Sequence, residues 1–123
     1  MKYLCLAYYN EKQFGALPKA ELDTLVSQCH AHDEELRNSG HMMLVGSLAP
    51  TASTASVRPQ NGKPVVTDGP YAETKEQVGA FFIIDAKDLN EAIRIASMHP
   101  AAHLGEHVGW GIEVRPMEFF QQT

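Results

Sequence analysis

At 123 residues the chain has the size of one domain, residues 1–123, and is long enough to bury a core without staples. Acidic residues outnumber basic ones 15 to 10, a formal charge of -5, and the Lys and Arg residues form no run or stripe, which argues against a nucleic-acid partner. Two cysteines make neither a disulfide scaffold nor a CxxC pair, no apolar run reaches the roughly 18 residues of a membrane span, and no secretory leader pattern is visible, so a soluble protein of the reducing cytoplasm is expected.

Lys2 to Tyr9 reads as a strand, apolar on both faces: Tyr3, Cys5, Ala7 and Tyr9 on one, Leu4, Leu6 and Tyr8 on the other. Asn10 to Leu17 reads as a loop. Pro18 suits a first helical turn, and the spacing predicts a helix to about Ser39, stopped by Gly40. Its apolar stripe is Leu22, Leu25, Val26, Cys29 and Leu36. Asp33 falls in the middle of that stripe, with His30 and His32 near its edges. A carboxylate buried there needs a partner or a proton; Arg115, Lys75 or a histidine are the candidates, and the group is either a salt bridge or an acid or base in a cleft.

His41 to Leu48 is a second strand. Ala55–Arg58 and Lys63–Thr67 flank Asn61-Gly62, a hairpin signal, and Pro59 and Pro64 suggest a sheet edge. A polar turn then leads into the strand Gly79 to Ala86, apolar on nearly every residue. Asp88 caps a second helix with Glu91 three residues on, and Pro100 ends it. Ala101 to Gly109 reads as irregular, Trp110 to Met117 as the last strand, and residues 118–123 as a tail. The order predicts an α+β fold on the ferredoxin-like βαββαβ plan with an inserted β-hairpin. Both helices of that plan cover one sheet face. Strands apolar on both faces therefore imply a second layer, which a homodimer packed sheet to sheet would supply as a dimeric α+β barrel.

The polar turn reads Asp68-Gly69-Pro70-Tyr71-Ala72-Glu73-Thr74-Lys75-Glu76. It resembles the signature of the YCII-related (YciI-like) proteins in their DGPF-type branch, with Tyr71 in place of Phe. The likeness extends to Gly40 and Gly46, Glu91-Ala92, Pro100 and Glu113-Val114-Arg115-Pro116. The resemblance implies the same dimeric arrangement. It also implies an acid-base dyad, formed by a His on the first helix and an Asp just before the helix-ending Pro. Here His99 precedes Pro100, and Cys29, with His30 adjacent, stands eleven residues before Gly40. Asp68 with His30, or Asp33 with His99, are the replacements open to this chain.

Asp68 is a turn former by its own side chain, or a general base or a cation ligand at a cleft mouth. Glu73 and Lys75 sit in the same loop as members of a polar network or as ligand contacts, and Arg115 has the fork to hold a carboxylate. The expectation is a cleft between helix and sheet for a small, aromatic or carboxylated molecule. Asp68 would be base or orienter, His30 a proton carrier, Asp33 a second acid or base, and Arg115, Glu73, Lys75 and His99 ligand contacts. That chemistry needs no cofactor. A non-catalytic binding module is the rival, and a structural dimerisation unit without ligand is a third reading. His99, His103 and His107 are four apart, but Pro100 and Gly105 break the helix that would stack them, so no metal is expected.

Overall fold

The computed structural model describes all 123 residues. Strands β1 (Lys2–Tyr9), β2 (Met42–Ser47), β5 (Gln77–Asp85) and β6 (Gly111–Pro116) form one sheet in the order β2-β5-β1-β6. All three pairings are antiparallel. The long helix α2 (Lys19–Asn38) connects β1 to β2, and α3 (Leu89–Ala96) connects β5 to β6. Each connection passes over an intervening strand, which is the split βαβ of a ferredoxin-like α+β fold.

The β1–β5 register sets Tyr3 opposite Ile84 and Cys5 opposite Phe82. These four residues point to the helix side and are fully buried, with Leu36 from α2 and Ala92, Ile95 and Ala96 from α3 closing over them. Asp88 caps α3 by accepting from the Glu91 amide at 2.8 Å, while Glu91 reaches back to the Lys87 amide at 3.2 Å. The expected capping box is thus displaced by one residue at its return bond.

Strand alternation sends Leu4, Leu6 and Tyr8 to the other face, beside Phe81 and Ile83. No helix covers that face. Glu113 pairs with Leu6 and Arg115 with Leu4, so both charges lie on it too, and the Tyr8 hydroxyl donates to Glu113 at 3.3 Å.

Three expectations need correction. The loop expected at 10–17 contains a short helix, α1 (Glu11–Gly15), capped by Asn10. The stretch expected to be irregular holds two 3-10 turns, Pro100–Ala102 and Glu106–Val108. The hairpin, β3 (Ala55–Gln60) with β4 (Lys63–Asp68), does not extend the sheet edge. It forms a two-stranded sheet of its own. Asn61 and Gly62 both take positive φ, as a two-residue hairpin turn requires, and Pro59 faces Pro64 where neither has an amide to donate. Its base is tied by Gly69 N to Thr54 O at 2.7 Å and Ser56 Oγ to Gly69 O at 2.8 Å.

Candidate functional site

A cavity of about 430 Å³ opens between α2 and the end of the sheet where β1 leaves it. Its walls are Ala7, Tyr8 and Tyr9 from β1, Gly79 and Ala80 from β5, Leu48 and Pro50 after β2, and the turn His99–Ala101 with Trp110. Cys29 and Asp33, one turn apart on α2, face it from the helix side. The short helix α1 contributes Phe14. That ring stands edge-on to Tyr9, with centroids 5.7 Å apart, and 6.2 Å from Trp110. A residue without charge or hydroxyl in an apparent loop gave no signal for this role.

The aromatic wall is held from behind by Glu11, which the sequence did not single out. Its carboxylate accepts from the Thr51 amide at 3.0 Å, the Thr51 hydroxyl at 2.8 Å and the Tyr9 hydroxyl at 3.3 Å. Chiefly the Thr51 hydroxyl, with its amide and Tyr9, holds the Glu11 carboxyl below its ordinary range; burial opposes. Burial first, then the Glu11 charge, pushes the Tyr9 phenol up, so it stays a neutral donor.

His99 is the most constrained polar group of the cavity. It caps the 3-10 turn that follows α3, its Nδ1 accepting from the Ala101 amide at 3.0 Å. Its ring lies on Phe82, centroids 5.1 Å apart and planes within 5°. Burial lowers its pKa below the ordinary value. The Asp33 charge works against this, and His32 adds to it. The Cys29 thiol is pushed up by burial and then by Asp33, and it donates to the Leu25 carbonyl. A thiol so held is a poor nucleophile. Outside the cavity His32 stacks on His103 at 4.7 Å, and His103 Nε2 donates to the Ser97 carbonyl.

Of the residues singled out in the sequence, Asp33 and His99 share this cavity. Asp33 is exposed at the cavity, not buried in the stripe, although Leu25 and Leu36 to either side of it along α2 are buried. It forms no salt bridge with Arg115 or Lys75, and Arg115 is on the opposite sheet face by the register of β6. His30 is exposed and lies 3.4 Å from Glu34 along α2. Asp68 ends β4 at the base of the hairpin, exposed and away from the cavity walls. Its side chain does not form the expected turn, because Gly69 at φ 101° bends the backbone itself. Glu73 and Lys75 line a separate, polar cleft with Asn10, Glu11 and Thr51. The pairs Asp68–His30 and Asp33–His99, equal by spacing, are therefore unequal in space: the second pair meets in one cavity.

No helix of the chain is long and apolar enough to cross a membrane. The sequence profile described as YCII-related domain matches residues 1–117. The chain is 32% identical over 121 residues to a protein of Rhizobium meliloti (strain 1021), named Uncharacterized protein R00369, and the match covers 98% of this chain and 95% of that one.

Proposed function

The chain belongs to the YCII-related family, and on that premise we propose that it binds a small aromatic molecule between α2 and the sheet and moves a proton on it without a cofactor. Asp33 and His99 are the acid-base pair in this reading. The observation that carries it is their convergence in a cavity whose walls are otherwise mostly apolar and aromatic. His99 stands at the position before the proline where the resemblance puts the Asp, and Asp33 lies one helical turn beyond Cys29, which holds the position of the His. Asp68, His30, Arg115, Glu73 and Lys75 stand outside that pair, and the Asp68-Gly69-Pro70 turn suits the DGPF-type branch as a structural bend.

The same reading makes the protein a homodimer. Leu4, Leu6 and Phe81 are half-buried on a face that no helix covers, with Ile83 buried among them, and a second copy would close that face sheet to sheet. Both cysteines are free, which suits the cytoplasm.

The test is a thermal-shift screen of small aromatic compounds, followed by turnover assays on those that bind. Saturable stabilisation with turnover that Asp33→Asn abolishes supports the proposal. Saturable stabilisation with no turnover makes the protein a binding module. No saturable stabilisation by any small molecule refutes the site.

A further inference from the structure

The Ala101 amide can only donate, so the His99 Nδ1 that it meets at 3.0 Å carries the lone pair and Nε2 carries the proton. Ala101 is buried, and a proton added to Nδ1 would set two hydrogens against each other with little room for water to replace the lost bond. The stack on Phe82 fixes the plane of the ring. His99 is therefore a neutral group, fixed in orientation, that offers an N–H through Nε2. The cavity wall contains no Lys and no Arg, and Asp33 is its one carboxylate. An anionic ligand would meet repulsion there and no cation to offset it.

Taking that cavity as the functional site, we propose that its ligands are uncharged, ring-bearing carbonyl compounds: the carbonyl oxygen accepts from His99 Nε2–H while the Asp33 carboxylate removes a proton from the adjacent carbon. The C–H bond breaks and its electron pair becomes a carbon–carbon double bond. The carbonyl π pair moves onto oxygen, where His99 Nε2–H stabilises the charge without itself having to ionise. The proton rests on an Asp33 oxygen and returns to the same carbon or to another carbon of a conjugated system. No oxidant, reductant or second substrate enters. The carboxylated ligands considered from sequence are excluded by this reading, because Arg115, their expected anchor, is on the far face of the sheet.

Two probes of matched ring size decide between the classes: 2-tetralone, an uncharged ketone, and 2-naphthoate, an anion. Calorimetric titration should show 2-tetralone binding at least about tenfold tighter, with long-range nitrogen–proton spectra placing the His99 proton on Nε2 at pH 7. In His99→Asn the shorter side chain keeps an oxygen near the Nδ1 position to cap Ala101 but offers no donor at Nε2. It should keep the fold and weaken 2-tetralone about tenfold. Exchange of the ketone's α-hydrogens in D2O should be accelerated by the protein and not by Asp33→Asn. Equal or tighter binding of 2-naphthoate, or a proton found on Nδ1, overturns the proposal while leaving the cavity as a ligand site. Failure of both probes to bind overturns both.

Discussion

Replacing Gly105 by alanine should damage the protein through two separable effects. Gly105 is buried at φ 74° and ψ 20°, a left-handed conformation that costs a residue with a side chain about 1–2 kcal/mol. A Cβ there would overlap the Trp110 indole at Cδ2, Cγ and Cε3. Trp110 cannot easily retreat, because its amide donates to the Gly105 carbonyl at 3.1 Å and its ring lies 6.2 Å from that of Phe14. Relieving such an overlap costs a further ~1–3 kcal/mol, for a total of about 2–5 kcal/mol. Gly40→Ala is the control: Gly40 has φ 79°, but a Cβ there meets nothing within 4 Å, so only the conformational cost applies. Trp110 is the sole tryptophan, so its fluorescence in urea reports both variants. With a slope of about 1–2 kcal/mol per molar urea, the midpoint should fall by roughly 1–5 M in Gly105→Ala and by about 0.5–2 M in Gly40→Ala. Equal losses in the two variants would falsify the packing argument, and with it the account of how Trp110 is held at the cavity wall.

Three further outcomes are expected. Burial lowers the His99 pKa below 6.5, so the native state binds fewer protons than the unfolded chain. The stability this contributes is full above pH 6.5 and is lost as pH falls through the lowered value; His99→Asn should flatten that part of the curve in urea melts from pH 7.5 to 5. Leu36→Ala removes a buried side chain that joins α2 to the core, and a loss of about 2–5 kcal/mol should appear in the same melts. Leu6→Asp puts a carboxylate in the sheet face that no helix covers, and sedimentation should show a pair for the unmodified protein and a single copy for the variant; an unchanged mass would remove the proposed sheet-to-sheet dimer.

The order of strands and helices was legible because β1 and β5 are apolar runs of strand length bounded by turn residues, while α2 and α3 carry a period of about 3.6. The position of Asp33 in the α2 stripe pointed to the cavity, although its burial was misjudged. A stripe shows which side of a helix faces inward but not where along it a cavity opens. Alternation put Glu113 and Arg115 together on one face of β6 and could not say which face the helices cover. Five residues from Glu11 to Gly15 are too few to show a period, so Phe14 was hidden. The Asp33–His99 pairing depends on the packing of α2 against the turn after α3, a long-range contact that residue spacing does not encode.

The arm formed by β3 and β4 shares no ladder with the four-stranded sheet. Its length is thus independent of every pairing in the body. Adding one residue to each side of Asn61-Gly62 would move its tip outward by about 3 Å and leave the register of β1, β5 and β6 untouched. That tip is consequently a splice point, where an epitope or a fluorophore-bearing loop can be grafted without disturbing the folded body beneath it.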